Sequence, residues 1–156
     1  MDTNQIRSKI RETLLVKLMP DNMSGRFIDV LLSVSEESVI APGQVLFKID
    51  ETNTDQGLLF LEGALKITRG DGEVRYLESP DIMGEVQLFT PQAKRTATVE
   101  VVFGGPVLKF RWHDLGAAAQ EEFNAEDLAQ LRELIKHTAT LRERDILKPR
   151  KGGEGT

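Results

Sequence analysis

The chain has 156 residues, of which 40% are hydrophobic and 29% charged. That balance suits one globular domain and excludes a wholly disordered or fibrous chain. A formal net charge of −5 argues against general binding to nucleic acid or anionic membrane, and the lack of cysteine removes disulfides, thiolate catalysis, Cys-ligated zinc and iron–sulfur clusters.

Residues 1–20 carry scattered charges and no apolar core of a secretory signal. The longest apolar run, residues 58–61, falls far short of the roughly 20 needed to span a membrane. No membrane contact is expected, and the reducing cytoplasm is the expected location.

In chain order, Ile6, Ile10, Leu14, Leu15 and Leu18 recur at helical spacing and predict one amphipathic helix ended by Pro20. A second helix is predicted over 24–33, with Ser24 as its N-cap and Phe27, Val30 and Leu31 inward. Strands are then predicted at 38–41, 45–49, 58–61, 64–68 and 74–77, with Gly70-Asp71-Gly72 turning the last pair. The continuous run 58–61 suits a strand buried on both faces. Ala97, Val99, Val101 and Phe103 alternate with polar or smaller neighbours. Gly104-Gly105-Pro106 is predicted to turn the chain into a strand over 107–112. Residues 114–123 form an Ala-rich helix. Asn124 caps a final one, with Asp127 as a capping-box acid and Leu128, Leu131, Ile135, Thr138 and Leu141 on one face. The fold class is therefore mainly β, a sandwich, jelly roll or small barrel, as one domain over 1–147. It divides into helical 1–36, β 37–112 and helical 113–147, with 148–156 a disordered basic tail.

Residues 78–95 break the strand pattern. Gly84-Glu85-Val86-Gln87-Leu88 suits a single helical turn, and Arg95 follows ten residues after Glu85. A glycine opening a helical turn bares backbone N–H groups that favour an anion. A guanidinium at a strand start adds fixed charge and a planar donor fork. Thr96 adds a hydroxyl, and Glu85 an acceptor for a sugar hydroxyl. Together they describe a pocket for a nucleotide with one phosphate.

These residues carry a resemblance. Met83-Gly84-Glu85-Val86-Gln87-Leu88, a spacer, and Arg95-Thr96-Ala97-Thr98-Val99 resemble the phosphate-binding cassette of the cyclic nucleotide-binding domain family. Ala41-Pro42-Gly43-Gln44-Val45-Leu46-Phe47 and the run 58–61 with Gly63 are similar to upstream strands of that family. The resemblance covers roughly residues 23–141. The chain departs from the pattern at Gln87, where a small residue is usual, at Pro80, where glycine is frequent, and at Lys94, where proline is common.

The resemblance implies an antiparallel eight-stranded β-roll with flanking helices. It implies a cyclic phosphate held by Arg95 and by amides near Gly84 and Thr96, a ribose 2′-hydroxyl on Glu85, and further contacts from Val86, Gln87, Leu88 and Ala97. The last helix, 126–147, would act as a lid, a dimer helix or both. The expected ligand is cAMP or cGMP, and the expected partner is an unidentified protein or a second copy. With nine residues after Leu147, no helix-turn-helix and no DNA binding are expected.

Ordinary readings stand beside these. Arg95 alone reads as a surface arginine, and Glu85 alone as a first-turn acid favouring the helix dipole. The stripe on the last helix reads first as core packing. His113 and His137 are too few for a metal site of the usual β-roll kind, and no Walker loop, G-x-S-x-G or H-E-x-x-H is present. No catalytic residue, cofactor or enzymatic activity is therefore expected. A ligand-free interaction module, its pocket filled by side chains such as Gln87, remains the alternative.

Overall fold

The computed structural model describes residues 1–52, 55–78, 80–84 and 94–147, with side chains as far as Leu141. The chain begins with α1 (Thr3–Arg11), α2 (Leu14–Lys17) and α3 (Asp21–Val34). The strands are β1 (Glu36–Ile40), β2 (Val45–Phe47), β3 (Gln56–Phe60), β4 (Ala64–Arg69), β5 (Val74–Leu77), β6 (Asp81–Met83), β7 (Ala97–Phe103) and β8 (Gly105–Arg111). The helices α4 (Trp112–Glu122) and α5 (Ala125–Leu147) close the sequence of elements.

Among the described residues the eight strands form two antiparallel four-stranded sheets, in the orders β1-β8-β3-β6 and β2-β7-β4-β5. This is the layered β architecture expected from the sequence, with helices flanking it. The alternation of side chains along a strand explains how β3 is buried on both faces. Leu58 and Phe60 join Leu65, Ile67, Val99, Val101 and Val107 between the sheets. Leu59 and Leu61 face the other way, into a second core with Ile10, Phe27, Leu31, Phe110, Trp112 and Leu115. Register preserves the division: Leu59 stands opposite Ile82 and Leu108, both in the helical core, while Leu58 stands opposite Met83 in the roll.

Several local expectations are corrected. The helix expected to reach Pro20 breaks after Arg11. Thr13 is fully buried and its hydroxyl donates to the Ile10 carbonyl at 2.6 Å, a side-chain bond that competes with helix continuation. The next turn is rotated as a result, and Leu14 and Leu18, expected inward, are exposed. The second helix starts at Asp21, so Ser24 is not a cap but lies within α3, donating to the Asp21 carbonyl at 3.3 Å. Phe27, Val30 and Leu31 are buried as expected. Part of the stretch read as breaking the strands, Asp81–Met83, is a strand because β3 offers it a free edge. Gly105 and Pro106 belong to β8, not to a turn, pairing with Ile40 and Val39 of β1. Trp112 opens α4 where a strand was expected to continue. The observed boundaries accordingly move by a few residues, with Glu36 in a strand and Trp112 in a helix.

Asn124 does cap the last helix, its Oδ1 accepting from the Asp127 N–H at 2.8 Å. Leu131 and Ile135 of α5 pack into the helical core, and Thr138 is buried beside them in sequence. The stripe on this helix therefore serves core packing. The tail at 148–156 lies outside the described residues.

Candidate functional site

The site begins at the end of β6. Gly84 follows Met83 with φ +95°, a left-handed conformation that glycine adopts without penalty. Space excludes a side chain as well: a Cβ there would lie 2.5 Å from the Gln56 carbonyl oxygen and 3.2 Å from Nη1 of Arg95. Gly84 and Arg95, eleven positions apart, are thus pressed together with Gln56 of β3.

Arg95 is 5% exposed, so it is not the surface arginine of the ordinary reading. Its Nη2 donates to the Gln56 carbonyl at 3.3 Å, and its guanidinium lies 4.3 Å from the centre of the Phe47 ring. A cation over an aromatic face contributes about 0.5–2 kcal/mol, more as water is excluded. The backbone is held too. The Arg95 N–H donates to the Glu51 carbonyl at 2.9 Å, and the Arg95 carbonyl accepts from the Asp50 N–H at 3.0 Å. The turn that makes these bonds carries Asp50 at φ +71° and is closed by the Lys48 N–H donating to Glu51 Oε1 at 2.7 Å. One residue-type signal thus becomes a charge fixed at both backbone and side chain.

Of the remaining expected site residues, two are described, and both directly follow Arg95. Thr96 is exposed. Ala97 is buried at the start of β7 and packs into the roll interior, opposite Arg69. Glu85, Val86, Gln87 and Leu88, and the helical turn expected there, lie outside the described residues.

Two contacts of Arg95 were not singled out as site residues from the sequence. Phe47 was legible only as a strand residue. Gln56 acts through its carbonyl, which no residue type reveals. Trp112 is buried in the helical core, and its Nε1–H donates to the Gly84 carbonyl at 3.1 Å. Separately, a hollow of about 550 Å³ opens where β8 and β3 meet α4, lined by Glu36, Asp55, Lys109, Arg111 and Asp114 among others. Gln56 is the single point it shares with the surroundings of Arg95 described above.

No family model matches the chain, and no curated protein matches it in sequence. Solved structures do. The catabolite activator protein of Thermus thermophilus superposes with a TM-score of 0.61 at 18% identity, over 84% of this chain and 58% of that one. The regulatory domain of Toxoplasma gondii PKA, solved with cAMP, gives 0.59 at 18% identity, over 76% of this chain and 46% of that one. The PKAR domain CBD2 bound to Sp-2Cl-cAMPS gives 0.66 at 14% identity, over 92% and 90%. The chain spans little more than half the length of the first and less than half of the second. The likeness establishes that the chain has the fold of cyclic nucleotide-binding domains. No helix of the described residues is long and apolar enough to cross a membrane.

Proposed function

We propose that this chain is a non-enzymatic regulatory module that binds a cyclic nucleotide, cAMP or cGMP, and passes the binding event to its last helix. The carrying observation is the buried guanidinium of Arg95, packed on the backbone of Gly84. A fixed, water-shielded cation beside a glycine turn suits a singly charged cyclic phosphate better than a mobile surface lysine would. The fold adds support, since two of the structures it resembles were solved with cAMP or with Sp-2Cl-cAMPS. In this reading Arg95 and the amides near Gly84 and Thr96 hold the phosphate, and Glu85 holds the ribose. Val86, Gln87, Leu88 and Ala97 complete the wall. A partner protein or a second copy reads the movement of α5, which is possible only if the ligand's contacts differ between the two positions of that helix.

Calorimetric titration with cAMP and cGMP tests this. The parent is expected to bind at least one of them. Arg95→Ala is expected to weaken that binding by roughly 30- to several-thousand-fold, the range for truncating one partner of a buried charge pair. Arg95→Lys should recover only part of it, because the planar fork is lost. A variant that binds as tightly as the parent would remove Arg95 from the site.

One observation favours a second reading. Arg95 already has a ring face and a carbonyl among its partners within the chain, as a structural arginine would. A ligand-free interaction module on this fold predicts no thermal shift with either nucleotide and no heat on titration.

A further inference from the structure

We propose that the outer edge of β1 docks an extended segment of a partner protein, one that carries an apolar residue and, two positions on, a lysine or arginine. The docking is independent of nucleotide binding.

β1 is the outermost strand of its sheet and pairs with β8. Backbone groups of successive residues in a strand point to opposite sides. The Leu61 N–H donates to the Pro106 carbonyl at 3.3 Å, so Pro106 and Leu108 turn their backbone groups towards β3. Gly105, Val107 and Lys109 then turn theirs towards β1, where Ile40, Ser38 and Glu36 stand opposite them. Glu37 and Val39 fall between these residues and point their N–H and C=O groups away from β8. Two donors and two acceptors, repeating at about 6.8 Å, are what a further strand requires.

The side chains at this edge are as open as its backbone. Val39 is 77% exposed, the highest value for a large apolar side chain among the described residues, while Ile40 beside it is 1% exposed. Val39 stands opposite Pro106, and Glu37, also exposed, stands opposite Leu108. Both therefore project on the face that carries the helical core, which buries Leu108 and leaves Val39 bare. An added strand sets its own side chains directly opposite these two.

Charge decides the occupant. Glu36 and Glu37 are both exposed on this five-residue strand, in a chain of net charge −5. A second copy aligned antiparallel over the same five residues would make the two Glu37 side chains diagonal neighbours, and like charges oppose that pairing. A lysine or arginine opposite Glu37 reverses the sign. An antiparallel partner segment thus reads apolar, any residue, basic, with its apolar side chain on Val39 and its cation on Glu37. Charged side chains are a usual guard on an open edge. Here they guard it against self-pairing and leave it open to a basic segment.

Fluorescence anisotropy with the labelled peptide Gly-Thr-Val-Thr-Lys-Thr-Gly, and with its counterpart in which Glu replaces Lys, tests this. The parent is expected to bind the Lys peptide more tightly by roughly 2- to 30-fold, as an attractive cross-strand pair gives way to a repulsive one. Glu37→Lys should invert the preference. Val39→Pro removes an outward N–H and leaves the β1–β8 bonds in place, and should weaken the Lys peptide by roughly 2- to 13-fold, the loss of one hydrogen bond. No binding by the parent at millimolar peptide, equal affinity for the two peptides, or a Val39→Pro variant that binds as the parent does would overturn the proposal. So would a parent dimer in sedimentation that Val39→Pro dissolves, which would give the edge to a second copy. If Val39→Pro does not fold, the inversion in Glu37→Lys still decides.

Discussion

The indole N–H of Trp112 donates to the carbonyl oxygen of Gly84 at 3.1 Å, joining the first residue of α4 to the residue that follows β6. The backbone N–H of Trp112 donates to the Asp55 carbonyl at 3.0 Å, next to Gln56, whose own carbonyl receives Arg95. The start of α4 is thereby tied to two parts of the candidate site. Trp112 is the sole tryptophan. Titration with the bound nucleotide is therefore expected to change the intrinsic fluorescence saturably, with a midpoint that matches calorimetry, and Arg95→Ala should abolish the change. Calorimetric saturation with a constant emission spectrum would show that Gly84 does not move relative to α4.

Gly84→Ala should be severe. The left-handed φ of +95° costs a residue with a Cβ about 1–2 kcal/mol, and the new methyl would lie 2.5 Å from the Gln56 carbonyl. Gly43 is the control: its φ is +86°, but nothing lies within 4 Å of the place a Cβ would take there. Gly43→Ala should lose only the conformational part in urea unfolding. Gly84→Ala should lose more than that and should also weaken nucleotide binding. Equal losses for the two variants would mean that the contact among Gly84, Gln56 and Arg95 relaxes freely.

What could be read from the sequence divides along physical lines. Leu58–Leu61 announced a doubly buried strand because four apolar residues in a row leave no polar face. Gly84 and Arg95 were legible as a pair because their types and spacing are unusual together. Asp81–Met83 was not, since three residues between Pro80 and a glycine carry too little pattern, and pairing with β3 decides their conformation. The break at Thr13 was hidden because it depends on a buried hydroxyl bond rather than on glycine or proline. Gln56 was hidden because its contribution is a carbonyl.

Asn124 supplies a testable cap. Its Oδ1 accepts from the Asp127 N–H at 2.8 Å and its carbonyl from the Leu128 N–H at 3.0 Å, so it closes the first turn of α5. Asn124→Ala should cost about 1 kcal/mol of stability, and Asn124→Asp should keep most of it. Because Leu131 and Ile135 anchor α5 in the helical core, the loss should appear in global unfolding rather than as local fraying. An unchanged denaturation midpoint in Asn124→Ala would show that packing alone fixes the start of this helix.

Gly57 tests how tightly that core is wired to the site. It stands opposite Phe110, and a Cβ at this position would lie 2.3 Å from Cε2 of the Phe110 ring. The ring also packs edge to face on Trp112, centroids 4.9 Å apart, and Trp112 is the donor to Gly84. Gly57→Ala therefore cannot be absorbed by the Phe110 ring without disturbing Trp112, and overpacking of this kind costs about 1–3 kcal/mol. Phe110→Leu removes the obstructing ring at its own cost in burial. The double variant should then be more stable than the sum of the two single losses implies, with a coupling of about 0.5–3 kcal/mol in a denaturant double-mutant cycle. Strict additivity would mean that the two residues relax independently, and that the path from β3 through Phe110 and Trp112 to Gly84 carries no strain.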